Sequence, residues 1–294
     1  MKVSIGLDIG GTSVKVLALG QDKTVVAQTS FSTSSRDGSK ACIASCRAKI
    51  QEICHQHEAQ MVAIGVGCTG PIDYRSGIIQ NPYTLPGLEG HSIKELLQQE
   101  FGVPVVVDND ANAAHLGEVF LHTDAPQNTM MLTFGTGVGV SIRIDGQLFR
   151  IPGGIHPEIG HIPTSIFDEN QCYCGRHNCM EHILSGSGIN RRAFHVAGLK
   201  PEELMLQTST LGSQFRQELV TALYESVSAL TIIFHPQTVY IGGGMQEFFA
   251  EYLLQPTQER LDALQPTYGR TTLQRCIAGK KAGSLGAALM ALYE

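Results

Sequence analysis

Three cysteines and a histidine stand close together in a stretch with little periodic structure: His161, Cys172, Cys174 and Cys179. One imidazole and three thiolates suit a tetrahedral zinc ion. Four protein ligands close its coordination sphere, so its role is expected to be structural. The Cys-x-Cys spacing is tighter than the common Cys-x-x-Cys, and His177 or His156 is near enough to replace one ligand. The bland alternative is a set of reduced surface thiols.

A second chemistry lies in the glycine turns. Asp8 closes an apolar run and is followed by Gly10-Gly11-Thr12, with Lys15 beyond. Bare backbone N–H groups in such a turn can approach phosphate oxygens. Asp8, at the carboxyl end of a strand, is a candidate ligand for Mg²⁺, directly or through water. Thr12 adds a hydroxyl and Lys15 a cation. Gly135-Thr136-Gly137-Val138-Gly139 is a second turn of this kind, and Gly242-Gly243-Gly244 follows a later apolar run where a nucleotide base or ribose could approach. Plain hairpins and a strand-to-helix turn are the competing explanations. Neither a Walker A loop nor a dinucleotide fingerprint fits, because the Gly-Lys-Ser/Thr ending is missing and the turns open into strands.

The third cluster is Asp108-Asn109-Asp110-Ala111-Asn112, between a β-branched run and a helical pattern. Phosphoryl transfer to an alcohol needs a carboxylate to take the hydroxyl proton and groups that orient the acceptor. Asp110 is the candidate base, and Asn109 can both donate to and accept from a sugar hydroxyl. On local grounds alone an aspartate here reads as a helix cap.

The elements that must position these groups alternate. Strands are expected at Val3–Ile9, Val14–Leu19, Thr24–Gln28, Val62–Gly67 and Val103–Val107, with helices over 39–57, Ser92–Phe101 (Ser92 as N-cap) and Ala111–Leu121. The opening theme then returns: strand Thr129–Phe134, the Gly-Thr-Gly turn, strand Gly139–Ile144. Thr12 and Thr136 hold corresponding places, which reads as an internal duplication with one copy per lobe. Residues 145–180 form a long irregular loop. Helices are expected over 181–197, 213–234, 246–254 and 283–292, and strands at Thr238–Ile241 and near 271–277. In the 213–234 helix, Leu219, Leu223, Val227 and Leu230 recur at helical spacing. The class is α/β.

Composition sets the outer limits. The chain has 294 residues, 43% hydrophobic and 16% charged, with a net charge of −6. That is enough chain for one large or two medium domains with a real core. No basic block suggests nucleic-acid binding, and no apolar run is long enough for a membrane span. No signal peptide is visible ahead of Val3, so a cytoplasmic location is expected. Cys42, Cys46, Cys54, Cys68 and Cys276 read as small apolar packing residues.

Taken in order, Asp8-Ile9-Gly10-Gly11-Thr12, Thr69-Gly70-Pro71-Ile72-Asp73, Asn109-Asp110-Ala111-Asn112, Gly135 to Gly139, Glu158-Ile159-Gly160-His161 and the Cys172–Glu181 stretch resemble the ROK family of bacterial sugar kinases and regulators. The likeness runs from residue 3 to the last helix. It implies a two-lobed, actin-like (ribonuclease H-like) fold with an interdomain cleft. Residues 1–117 would form the N-terminal lobe, rejoined by the helix at 282–294, and residues 118–281 the C-terminal lobe with the zinc loop. It implies ATP with Mg²⁺, Asp110 as base, and sugar contacts at Gly70, Asn109, Asp110, Glu158, His161 and Glu181. A homodimer and a structural zinc are also implied. His161 could hold zinc through one ring nitrogen and meet the sugar with the other.

The departures concern the sugar. Many relatives carry Asn-Leu-Pro-Gly-Trp where this chain has Thr84-Leu85-Pro86-Gly87-Leu88, so Thr84 replaces a sugar-contacting Asn. His156-Pro157 before Glu158 resembles a fructokinase-type branch, whereas the Leu-Pro stretch and the CxC spacing resemble others, including allose kinase. Val140 stands where another Gly is common. The expected reaction is transfer from ATP to a free hexose, at O6. An N-acetylhexosamine (N-acetylmannosamine or N-acetylglucosamine) kinase is the alternative. A sugar-responsive regulator would need a helix-turn-helix ahead of Val3, where the chain offers no residues. A zinc hydrolase would need an open metal position, which a four-ligand site lacks.

Overall fold

The computed structural model describes residues 1–33, 38–151, 156–264 and 270–293. The chain divides into two units: unit 1 is Met1–Ala125, Arg150–Pro157 and Ile277–Glu294, and unit 2 is Pro126–Phe149 with Glu158–Cys276.

Unit 1 holds strands β1 (Lys2–Ile9), β2 (Ser13–Gly20), β3 (Val25–Ser32), β4 (Gln60–Cys68) and β5 (Val105–Asn109), in the order β3-β2-β1-β4-β5. β1, β4 and β5 run parallel, and β2 and β3 return antiparallel. Helices α1 (Ser39–Gln56), α2 (Ile93–Phe101) and α3 (Asp110–Phe120) complete the crossovers. Ser92 caps α2 as expected, accepting from the Glu95 N–H at 3.1 Å.

Alternation along β1 explains the layers. Val3, Ile5, Leu7 and Ile9 all enter one core with Ile64, Val66, Ile43 and Ile50. The opposite face combines glycines, Gly6 and Gly65, with Leu17 and Leu19 of β2, and the C-terminal helix Ala282–Tyr293 lies on it. A Cβ at Gly65 would overlap the Ala287 carbonyl oxygen, so glycine is what lets the helix backbone rest on the sheet.

Unit 2 repeats the plan. Strands β6 (Thr129–Phe134), β7 (Val138–Ile144), β8 (Gln147–Leu148), β9 (Thr238–Gly242) and β10 (Thr272–Arg275) lie in the order β10-β9-β6-β7-β8. Again the first strand pairs antiparallel with the second and parallel with the fourth. Read from the far hairpin strand inwards, both sheets have one topology, which is the internal duplication expected from the two Gly-Thr turns. The helices are α4 (Met180–Leu184), α5 (Gly186–Ala197), α6 (Pro201–Met205), α7 (Thr210–Phe234), α8 (Gln246–Tyr252) and α9 (Leu254–Asp262). In α7, Leu219, Leu223, Val227 and Leu230 all face the core.

Several expectations change. The helix expected over 181–197 is broken at Ser185, which has extended backbone and caps α5 by accepting from the Gly188 N–H at 3.0 Å. The stretch after residue 254 is helical rather than a loop; its polar sequence, with Pro256 in the first turn, carries little apolar period. The unit boundary lies after Ala125, not 117, because position 117 is inside α3. Residues 150–157 and 277–281 also group with unit 1. Arg150 is ion-paired to buried Asp108, and the buried Glu118 carboxylate accepts the N–H groups of Ile277 and Ala278, each at 2.9 Å. Among the described residues, no helix is long and apolar enough to cross a membrane.

Candidate active site

The carboxyl ends of parallel β1, β4 and β5 bring the unit 1 residues together. Such ends are where open α/β sheets bind ligands. Asp8 sits near the end of β1, Thr69 and Gly70 follow β4, and Asn109 ends β5. Thr69 joins two of the strands by donating its N–H to the Ile9 carbonyl at 3.1 Å.

Asn109, not an aspartate, caps α3, its Oδ1 accepting from the Ala111 N–H at 2.9 Å. The neighbouring carboxylates divide their roles. Asp108 is buried and accepts from its own strand, from Asn112 Nδ2 at 2.8 Å and from Arg150 Nε at 2.9 Å. Asp110 is only partly buried. Its Oδ1 accepts from the Ala111 N–H at 2.9 Å and its Oδ2 from the Thr69 hydroxyl at 3.0 Å. Burial, and then the nearby negative charge of Asp8, raise its pKa to about 6, against the opposing pull of Thr69, Ala111 and Lys15. A carboxylate poised there can take a proton near neutral pH.

The first glycine turn closes with Gly10 N–H donating to Ser13 O at 3.1 Å and leaves Thr12 exposed. Lys15 Nζ lies 2.6 Å from Asp8 Oδ2. Asp8 offers the anionic oxygen that a hard cation takes, while the bare backbone N–H groups of the turn are donors suited to phosphate oxygens. Thr84 packs against Gly11. Asn81, which sequence reasoning missed, is buried and holds both neighbours: its Nδ2 donates to Gly70 O and its Oδ1 accepts from Thr84 N–H at 2.8 Å. An Asn-Pro pair reads as an ordinary turn, so the sequence carries no sign of this. Leu88, which stands where many relatives carry Trp, is fully buried in the unit 1 core.

In unit 2, parallel β6 and β9 likewise end together. Gly135 N–H donates to Gly137 O at 3.0 Å, and Thr136 is exposed, as Thr12 is. Gly243, with φ +87°, follows β9 and packs on Phe134, while Met245 N–H donates to Phe134 O at 2.9 Å. Gly186, at the start of α5, donates to Gly135 O at 2.7 Å. Gly139 lies in β7 opposite Thr133. So Gly135–Gly137, Gly242–Gly244 and the start of α5 gather at one end of this sheet.

His161, Cys172, Cys174 and Cys179 present one ligand atom each, all within 4.8 Å of one another. Cys174 and Cys179 Sγ are 3.8 Å apart, and His161 Nδ1 is 3.8 Å from Cys172 Sγ and 3.6 Å from Cys179 Sγ. A tetrahedron with about 2.3 Å metal–sulfur bonds has edges of about 3.8 Å, so the four residues fit a zinc ion. His177 turns its Nδ1 to the carbonyls of Asp168 and Asn170, at 3.1 and 3.0 Å.

The other side of His161 faces Tyr173, a residue the sequence did not mark. Nε2 is 2.8 Å from the Tyr173 hydroxyl and 3.9 Å from Glu181 Oε1. Glu181 Oε2 accepts from the Val138 N–H at 3.0 Å. Exposed Glu158 opens the 3-10 turn Ile159–His161. Burial, then the carboxylates of Glu181 and Glu158, hold the Tyr173 phenol well above its ordinary pKa. His161 and Glu181 therefore lie side by side, with the Glu158 carboxylate near enough to Tyr173 to act on it electrostatically.

The sequence profile of the ROK family matches residues 4–294. The chain belongs to the ROK family. It is a sugar kinase, with the two-lobed, actin-like α/β fold of these enzymes. It is similar to the glucokinase of Halalkalibacterium halodurans, at 29% identity over 88% of this chain and 85% of that one. It is also similar to the N-acetylmannosamine kinase of Escherichia coli O7:K1, at 29% identity over 99% of each. Among solved structures, a ROK family glucokinase from Streptomyces griseus in complex with glucose and AMPPNP superposes with a TM-score of 0.79, at 25% identity over 99% of this chain and 100% of that one.

Proposed function

We propose that this ROK kinase transfers the γ-phosphoryl group of ATP to O6 of a free hexose, with Asp110 as the base. The hydroxyl oxygen forms a bond to phosphorus as the bond to the ADP oxygen breaks, and Asp110 takes the hydroxyl proton. The observation that carries this is the partly exposed Asp110 carboxylate, held by Thr69 at 3.0 Å and raised to about 6 beside Asp8. Its chemistry suits a general base, and the adjacent Asp108 is already consumed by Arg150 and Asn112.

Asn109, Gly70, Thr84, Glu158, His161 and Glu181 are assigned to the sugar hydroxyls, since amides and carboxylates can each serve more than one. Asp8, Gly10, Gly11, Thr12 and Lys15, with Gly135, Thr136, Gly137, Gly139 and Gly242–Gly244, are assigned to the nucleotide. Asp8 would hold Mg²⁺, which offsets phosphate charge in the transition state. His161, Cys172, Cys174 and Cys179 would hold a structural zinc. A homodimer working in the cytoplasm, where ATP and reduced thiols are available, belongs to the same proposal.

ADP release across about a dozen hexoses and N-acetylhexosamines tests it. Turnover with one or a few hexoses is expected. Turnover confined to an N-acetylhexosamine selects the second reading, which the likeness to an N-acetylmannosamine kinase favours. Sugar binding without ADP release would overturn both.

A further inference from the structure

We propose that Tyr173 is a positioning residue that carries the hold of the metal site through to the second glycine turn. The inference rests on the zinc assignment above and on unit 2 alone.

Donor arithmetic gives the direction of the chain. His161 points Nδ1 at the sulfurs of Cys172 and Cys179. A ring that ligates through Nδ1 keeps its single proton on Nε2, so Nε2 can only donate. The group 2.8 Å away is the Tyr173 hydroxyl, which therefore accepts. The phenol proton is then free for the neighbouring Glu181 carboxylate, whose Oε1 stands 3.9 Å from the same His161 Nε2 that the phenol meets at 2.8 Å. The other Glu181 oxygen takes the Val138 N–H at 3.0 Å. Four groups thus form one connected series that converges on the carboxylate: the metal ligand donates to the phenol, the phenol to Glu181, and the Val138 amide of the turn donates to Glu181 from the other side.

The geometry around the series is restrictive at both ends. Tyr173 lies between the ligands Cys172 and Cys174, so its backbone is fixed on either side while the residue as a whole is 72% exposed. Its ring meets the His161 ring edge-on at 4.8 Å between centroids, which sets where the hydroxyl falls. At the far end, a Cβ on Gly137 would stand 2.7 Å from Glu181 Oε2, so glycine here leaves the carboxylate room to reach the turn without shifting. An exposed tyrosine whose only merit were packing would have no reason to place its hydroxyl between these two partners.

The consequence is that Glu181 has its position fixed from the metal side before any sugar arrives. Tyr173→Phe keeps the ring contact with His161 and both flanking cysteines but removes the link. The test uses the full-length zinc-loaded protein and its Tyr173→Phe variant, with zinc content, backbone hydrogen exchange and steady-state kinetics measured on both. The variant is expected to bind zinc as the parent does. Exchange at the Val138 amide is expected to rise at least tenfold, while amides in β6 stay unchanged. The sugar KM should rise several-fold with kcat little altered. In the parent, stripping zinc should also speed exchange at Val138.

Unchanged Val138 exchange in the zinc-loaded variant overturns the proposal. So does a uniform rise across unit 2 with loss of zinc, which would make Tyr173 merely structural. If the variant does not fold, a Val138 amide indifferent to zinc in the parent overturns it equally. Faster Val138 exchange with an unchanged sugar KM would uphold the link and instead remove Glu181 from the sugar.

Discussion

The hydroxyl of Thr69 donates to Oδ2 of Asp110 across 3.0 Å, while the Thr69 backbone N–H is tied to the end of β1. One residue thus fixes the carboxylate to two parallel strands, and its hydroxyl favours the charged form. Burial and Asp8 act in the opposite sense, and the balance leaves Asp110 at about 6.

Activity should follow that balance. Below pH 6 the carboxyl is increasingly protonated and cannot take the sugar proton. kcat/KM is expected to fall about tenfold per pH unit on the acid side. Thr69→Val removes a partner of the charged form, so the acid limb should move to higher pH. A pH–rate profile of both proteins checks this; an unmoved limb would detach Thr69 from the titrating group.

Zinc removal should act on the sugar more than on the nucleotide. His161, Glu158 and Glu181 all lie beside the cysteine loop. Chelation is expected to raise the sugar KM by about tenfold or more, with the ATP KM changing much less. Unchanged kinetics in a verified zinc-free sample would contradict the assignment.

Acid stability offers a separate check in unit 2. Burial alone would raise the Asp168 pKa, but hydrogen bonds from Asn170 and Arg191 outweigh it and bring the value from 3.8 to about 2. A depressed folded-state value means the stabilisation is complete above pH 4 and is lost as pH falls toward 2. Its size is about 2 kcal/mol. Asp168→Asn should lower Tm at pH 7 and lessen its fall between pH 4 and 2.

Packing of the C-terminal helix predicts a stability defect without a chemical one. A Cβ at Gly286 would overlap the Ala113 carbonyl oxygen on α3. Gly286→Ala should cost about 1–3 kcal/mol, read by urea denaturation.

Much of the architecture was legible because it rests on short-range signals. β-branched runs bounded by glycine marked the strands, and the repeated Gly-Thr turn marked two copies of one topology. What stayed hidden depends on contacts distant in sequence. Asn81 looks like a turn residue until it is seen holding Gly70 and Thr84. Tyr173 is an unremarkable neighbour of two cysteines until its hydroxyl meets His161. Leu88 stands where many relatives carry Trp, and the aliphatic side chain there joins the core. The break at Ser185 was masked because helical patterns on both sides are in keeping with one helix, and only the cap geometry separates them.

The central claim concerns one carboxylate, and Asp110→Asn addresses it with little change of shape. Steady-state ADP release and calorimetric sugar binding should be measured on the same preparation. kcat is expected to fall by about 10²–10⁴-fold, with sugar affinity within about threefold of the parent. Turnover within tenfold of the parent would contradict the account.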